Sequence, residues 1–165
     1  MVGLVQSGNA ASVFVCGGPS SFATQTRWFS SSIGLDSPFS LSAGGFRLEG
    51  TASADSIEGV LREEVSDTSD ARSFSARPVD NGSLAGVYDA FGPCGHLGLI
   101  IQPSSPGEPT AAQGACLRIE DGAQIVEQVN PVMPLARDAN AGVAVTVGAE
   151  LDRVFILHPL VPAGS

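Results

Sequence analysis

The sequence contains no lysine, and its other scarce residues also exclude whole classes of chemistry. All eight basic residues are arginines, so the chain has no lysine for a Schiff base or for a phosphate-binding P-loop. Only two histidines, His96 and His158, and three cysteines are present, which leaves little for histidine-based catalysis. The longest apolar stretches, around Leu97–Ile101 and Val154–Leu157, are far shorter than the ~20 residues of a membrane-spanning helix.

The charge balance of the chain is strongly acidic, with a formal net charge of −9. This excess argues against nucleic acid and against an anionic membrane surface, because both attract cationic side chains. Hydrophobic residues still make up 43% of the 165 residues, enough for a folded core. The length predicts a single β domain over residues 1–165, with no nucleic-acid partner and no membrane span.

Glycine and proline interrupt the sequence at short intervals, with 20 glycines and 11 prolines in all. No window of twelve residues free of both has helical periodicity, whereas short alternating runs are frequent. These runs predict strands at Ala11–Cys16, Thr26–Ser31, around Phe39 and Phe46, and at Ser56–Arg62, Ser73–Val79, Leu84–Ala90, Gly95–Gln102, Thr110–Ile119, Gln124–Val129, Val143–Val147 and Asp152–Leu157. The last run is almost continuously apolar, which predicts a strand buried on both faces.

So many consecutive strands with short connections predict an antiparallel meander. Asn81-Gly82 is a strong hairpin signal, because a type I′ turn needs positive φ at both central positions. A long meander has to close or fold over, since exposed sheet edges promote aggregation. We therefore predict an all-β fold whose meander closes, or nearly closes, into a barrel; a β-sandwich is the alternative.

Two of the three cysteines are predicted to form a disulfide. If the loop Pro103–Gly107 closes a hairpin, Cys94 and Cys116 face each other from neighbouring strands. Facing Cα atoms in a sheet lie ~4.5–5.5 Å apart, within disulfide reach. The alternative is a pair of small buried hydrophobic residues. Cys16 would then be the odd thiol, buried in a core strand.

Cys94 and His96 permit two further interpretations. Together with Cys116 they supply three zinc ligands, but a fourth ligand and the usual spacing are missing. As a cysteine–histidine nucleophile pair they lack an orienting Asn or Asp. We interpret His96 as a partly exposed residue at a strand end and His158 as a structural residue, and we predict no catalytic residue, metal or cofactor.

The acidic run Glu58, Glu63, Glu64, Asp67 and Asp70 is interpreted as a solvated surface. Its hard oxygens would suit calcium, but the spacing matches no EF-hand loop.

The aromatic residues are mostly predicted to lie in the core. Trp28 and Phe29 are adjacent in a predicted strand, so their side chains point to opposite faces. One of them therefore looks away from the core and is able to mark a contact patch. We predict that Trp28, Tyr88 and His96 contact a ligand or partner.

Five short stretches in the first half of the chain combine turn residues with core aromatics. They are Val15-Cys16-Gly17-Gly18, Trp28-Phe29-Ser30, Leu48-Glu49-Gly50-Thr51, Phe74-Ser75-Ala76 and Ala85-Gly86-Val87-Tyr88. Through these stretches residues 1–90 resemble the uncharacterised small exported or lipoprotein-type β domains of actinobacteria, with departures from that pattern at Gly17 and Ser30. The resemblance implies an extracytoplasmic β domain and carries no activity.

These features favour a non-enzymatic β domain outside the cytoplasm that binds a partner protein or a small ligand. One alternative is a structural or assembly subunit, such as a coat, decoration or surface protein, which would form homo-oligomers. Another is a hydrolase whose site residues come from distant loops. The first eight residues have no basic and apolar leader, which leaves open a cytosolic protein or one whose signal has been removed.

Overall fold

The structure, a computed structural model, describes residues 1–64, 71–80, 83–104, 110–148 and 150–161. These residues form thirteen strands and one four-residue helix, which confirms the all-β prediction. The strands are β1 Val2–Ser7, β2 Ala10–Val15, β3 Arg27–Ser32, β4 Ser37–Ala43, β5 Phe46–Ala52, β6 Ile57–Glu63, β7 Arg72–Ala76, β8 Gly86–Gly92, β9 Gly95–Ile101, β10 Ala112–Glu120, β11 Ala123–Pro131, β12 Val143–Val147 and β13 Glu150–Pro159. The helix, α1, covers Phe22–Gln25.

Backbone contacts group the chain into two compact units. The N-terminal unit comprises Met1–Val15, Arg27–Pro78 and Val161, and the barrel unit comprises Cys16–Thr26 and Val79–Leu160. Each unit has its own cluster of buried apolar side chains. The single domain over residues 1–165 stays a prediction.

The N-terminal unit consists of two antiparallel sheets whose strands follow chain order, β1-β2-β3 and β4-β5-β6-β7. Alternate residues of both sheets point into one core. Val13 and Phe29 come from the first sheet and Leu48 and Leu61 from the second, and each is at most 4% exposed. This pairing of two sheets around a shared core has the layer structure of a sandwich.

A buried arginine fixes the β4–β5 turn in this unit. Arg27 is 5% exposed, and its Nη1 donates to the carbonyl oxygens of Ala43 at 3.0 Å and Gly44 at 2.7 Å. Its guanidinium lies 3.7 Å from the centre of the Phe46 ring. Burial lowers the pKa of Arg27 to about 10. The carbonyl oxygens and the ring therefore replace part of the hydration that this cation loses.

The barrel unit contains the closed barrel that the sequence predicts. Strands β8 to β13 are neighbours in chain order, and β13 returns to pair with β8. This closing seam registers only two residue pairs, His158 with Asp89 and Pro159 with Tyr88. The backbone N–H of Leu160 adds a hydrogen bond to the carbonyl of Val87 at 2.9 Å. By registered pairs the seam is thus the shortest strand pairing in the barrel, and β11–β12, which registers three pairs, is the next shortest.

A side-chain latch lies beside this seam. The Tyr88 hydroxyl donates to the carbonyl of Leu84 at 2.7 Å and accepts from Nε of Arg137 at 2.9 Å. Nη2 of the same arginine donates to the carbonyl of Ser83. Arg137 belongs to the connection between β11 and β12, so these bonds tie that connection to the start of β8.

The segment Cys16–Thr26, which carries α1, is held to the barrel by two glutamines. Gln113 Nε2 donates to the carbonyl of Gly17 at 2.7 Å, and Gln124 Nε2 donates to the carbonyl of Thr26 at 2.9 Å. The segment is also closed on itself, because the N–H of Gly17 donates to Oγ1 of Thr26 at 3.0 Å. Hydrogen bonds of this kind satisfy backbone carbonyls that no sheet ladder reaches.

Two details depart from the sequence prediction. Strand β1 was not among the predicted strands. The prediction that Asp152–Leu157 is buried on both faces is wrong, because Leu157 is fully buried whereas Val154 is 56% exposed. A barrel wall has only one inner face, so alternate residues of β13 lie outside. The predicted Asn81-Gly82 turn lies outside the described residues.

Candidate ligand site at the barrel mouth

At one end of the barrel, the inward-pointing positions change from apolar to charged. On β13, Leu157 is fully buried, Phe155 is half-buried and Arg153 is exposed, each two residues from the last. On β10, Arg118 follows Cys116 at the same interval, and Cys116 is registered opposite Glu127 of β11. Because strand side chains alternate, these charged residues lie on the inner face of the barrel wall at its open end.

The charged residues surround a cavity of about 400 Å³, here called the barrel mouth. Phe155 and Val147 give it an apolar wall, while Arg118, Arg153 and Glu127 supply polar groups. The complete lining is Pro93, Cys94, Arg118, Glu127, Val147, Gly148, Arg153 and Phe155. The volume of this cavity lies in the range of small-molecule sites, and its lining is more polar than apolar.

An ion-pair network orders the polar side of the barrel mouth. Arg118 Nη1 donates to Oε1 of Glu127, and Arg118 Nε donates to Oε2 of Glu120 at 3.2 Å. The hydrogen bond to Glu127, with a further one to Glu120, raises the pKa of Arg118 above its ordinary value. Two arginines and one glutamate line the cavity, and the carboxylate of Glu120 also bonds to Arg118.

The structure joins Cys94 and Cys116 in a disulfide at the edge of the barrel mouth, with Cα atoms 6.1 Å apart. The strand register differs from the one used to predict it, because Cys116 is paired with Leu97 and Cys94 lies in the turn between β8 and β9. The turn brings Cys94 across to β10. With both sulfurs in the disulfide, neither is a thiolate for zinc or for nucleophilic attack.

Gly95 permits the tight turn beside the disulfide. Its φ is +118°, a conformation that side chains with a Cβ rarely adopt. A Cβ atom at this position would lie 2.1 Å from the carbonyl oxygen of Leu117 on β10. Only glycine therefore lets β9 begin this close to β10.

His96 lies on the outer face of the barrel. Its Nε2 is 3.0 Å from Oδ2 of Asp89, and its ring stacks on Phe91 with centroids 4.2 Å apart. Phe91 is 81% exposed. His158 is registered opposite Asp89 at the seam, so both histidines of the chain are placed near the same carboxylate.

The other two predicted contact residues lie elsewhere. Tyr88 is fully buried in the barrel core. Trp28 belongs to the N-terminal unit, where its half-buried ring stacks on the buried Phe14 with centroids 4.5 Å apart. Within the barrel unit, Tyr88 points into the core whereas His96 lies on the outer face. Contact of these residues with a ligand or partner stays a prediction.

The acidic run is only partly described, because Asp67 and Asp70 lie outside the described residues. Glu64 accepts hydrogen bonds from Oγ of Ser42 at 2.6 Å and from Nε of Arg47 at 3.4 Å. These bonds, that from Ser42 foremost, lower the pKa of Glu64. Among the described residues, no group of three or more His, Cys, Asp or Glu is arranged to hold a metal ion.

Comparison with protein-family models, with curated proteins and with solved structures finds no match. Within the described part of the chain, no helix has the length and apolar character that a membrane crossing requires.

The sequence interpretation missed the residues of the barrel mouth. Arg118 and Glu127 contact each other across the β10–β11 hairpin, and Arg153 joins them from β13 only when the barrel closes. One sequence pattern could have indicated the site. Arg153, Phe155 and Leu157 follow at intervals of two, which places a charged residue on the same strand face as two apolar residues.

Proposed function

We propose that the protein is a non-enzymatic binding domain whose barrel mouth holds a small organic anion. The supporting observation is the change from apolar to charged inward positions around a cavity of about 400 Å³. An anionic group would lie near the guanidinium groups of Arg118 and Arg153, and an apolar group would lie against Phe155 and Val147. A hydrogen bond to a charged group contributes about 1.5–3 kcal/mol, which suits guanidinium as the anchor.

Order in the free protein also supports binding at this place. Glu127 and Glu120 hold the Arg118 side chain, and the disulfide ties the β8–β9 turn to β10. A site whose side chains are already fixed loses less entropy when a ligand arrives.

We further propose that the protein works outside the cytoplasm. The disulfide between Cys94 and Cys116 supports this location, because disulfides persist in oxidising compartments and are rare in the cytosol. The exported domains that the first half of the sequence resembles agree with it.

The test is titration of the protein with small carboxylates, using phenylacetate and isobutyrate as probes and amide NMR shifts as the readout. We expect saturable shifts in β10, β11 and β13 that weaken with added salt. Arg153→Gln should weaken phenylacetate binding about tenfold, the effect of losing one charged hydrogen bond. The matched control is Arg62→Gln, an exposed arginine of β6, which should leave binding unchanged. Equal affinity in Arg153→Gln, or shifts that do not saturate, would contradict the proposal.

A further inference from the structure

A second cavity lies within the N-terminal unit and has a different character. It has a volume of about 370 Å³ and is bordered by β1, by the β3–β4 and β5–β6 connections and by the end of β7. We call it the acyl groove, and the residues that matter for it are Leu4, Leu35, Ile57, Ala76, Arg77 and Pro78.

The floor of the acyl groove is an uncovered flank of the apolar core. Leu4 and Ile57 pack against the buried cluster of this unit, yet both stay partly exposed. Leu35 stands at the groove with 58% of its side chain exposed. Removing such apolar surface from water is favourable in proportion to its area, so the groove favours an aliphatic occupant.

The polar walls of the groove are fixed before any ligand arrives. In the β5–β6 turn, the N–H of Ser53 donates to the carbonyl of Ser56 at 2.8 Å, and Oγ of Ser53 donates to the same carbonyl at 3.0 Å. On the opposite side, Nε2 of Gln6 donates to the carbonyls of Ile33 at 2.8 Å and Gly8 at 3.0 Å. These bonds hold the chain on both sides of the cavity, so binding does not require the walls to be ordered.

A single cation, Arg77, lines this otherwise uncharged groove. Its side chain is exposed and, in the ranges that the structure describes, forms no ion pair with a carboxylate. A guanidinium beside apolar surface complements an anionic head on an aliphatic tail. The chain as a whole is acidic and would repel an anion. Arg77 is therefore the feature of the groove that favours an anionic ligand.

We propose that the acyl groove binds one medium-chain aliphatic carboxylate. Its hydrocarbon chain lies against Leu4, Leu35 and Ile57, and its carboxylate accepts hydrogen bonds from Arg77. The strand edges of β1 and β7 are also suited to an extended peptide. The compact cavity with one cation favours the acid. This proposal concerns the N-terminal unit and does not depend on the barrel mouth.

The experiment is calorimetric titration with decanoate below its micelle threshold, with butyrate and decanol as comparison probes. We expect decanoate to bind with one-to-one stoichiometry, and butyrate to bind much more weakly because its chain covers less of the groove. Arg77→Gln should weaken decanoate binding about tenfold and leave decanol binding unchanged, since only the acid uses the guanidinium. Arg62→Gln is the charge-matched control and should bind decanoate as the natural chain does.

Leu35→Ser provides a second, independent variant. Leu35 is exposed, so the substitution preserves the fold, and it should weaken decanoate and decanol alike. Amide NMR shifts should fall on β1, β6 and β7. Equal decanoate affinity in the natural chain and Arg77→Gln, or shifts confined to the barrel mouth, would overturn the proposal. Binding of an extended peptide but not of decanoate would identify the groove as a strand-addition site and would overturn it as well.

Discussion

The substitution Tyr88→Phe tests whether the side-chain latch stabilises the barrel. The phenyl ring keeps the volume of this fully buried side chain and its position 5.7 Å below the Arg137 guanidinium. What is lost is the hydroxyl, which donates to Leu84 at 2.7 Å and accepts from Arg137 at 2.9 Å. Leaving a buried partner without its hydrogen bond costs about 1–3 kcal/mol. We expect the free energy of unfolding of the barrel to fall by about 2 kcal/mol.

Urea unfolding, followed by amide hydrogen exchange, measures this change where it occurs. Exchange should accelerate in β8 and β13, the two strands of the seam. Trp28, the single tryptophan, belongs to the N-terminal unit, so its fluorescence follows that unit. A cycle with Arg137→Gln and the double variant should give a coupling energy of about 1 kcal/mol. A change below about 0.5 kcal/mol in Tyr88→Phe, which is within the usual range for surface substitutions, would refute the latch.

Three further predictions concern the cysteines and the turn beside them. Replacing Cys94 and Cys116 together by serine should lower the free energy of unfolding by about 3 kcal/mol relative to the disulfide-bonded natural chain, the loop entropy for a separation of 22 residues, as measured by urea unfolding. The reduced natural chain is the control and should be about as stable as the variant; a variant as stable as the disulfide-bonded chain would contradict the prediction. Burial raises the pKa of Cys16 to about 11, so this thiol should resist a disulfide-exchange reagent at pH 8 until urea unfolds the chain. Because the folded state binds the Cys16 proton more tightly than the unfolded chain does, this thiol contributes its full stabilisation below about pH 9. The free energy of unfolding should decline as the pH rises towards 11 in the natural protein but not in Cys16→Ser, and the same pH profile in both would contradict the prediction. Gly95→Ala should lower the thermal midpoint by several degrees, the cost of about 2 kcal/mol for a strained φ and a contact of 2.1 Å with Leu117; an unchanged midpoint would show that the turn relaxes freely.

Much of the fold could be predicted from local patterns, because strand formation depends on neighbouring residues. Alternation around Phe46 and Val143 and the glycines between runs indicate strands that the structure contains. Burial on both faces was wrongly predicted for Asp152–Leu157, since a short apolar run does not distinguish a buried strand from a barrel wall whose outer residues stay apolar.

The candidate site could not be predicted in the same way. Arg118 and Glu127 belong to one hairpin, but Arg153 joins them only through the order of strands around the barrel, which no local pattern specifies. The sequence predicts the disulfide from a register in which Cys94 faces Cys116. In the structure Cys116 is paired with Leu97 instead, and Cys94 reaches it from the turn between β8 and β9. Contacts between residues that are distant in sequence therefore become visible only in the three-dimensional structure.

The seam of the barrel has a consequence for how the molecule is made. It joins Tyr88 and Asp89 to Pro159 and His158, about 70 positions later in the chain. During synthesis β8 therefore lacks its second neighbour until β13 has been made, whereas the hairpins of the N-terminal unit have all been completed by then. Nascent chains paused before residue 150 should thus expose the unpaired edge of β8, which is prone to aggregation and is a binding site for chaperones.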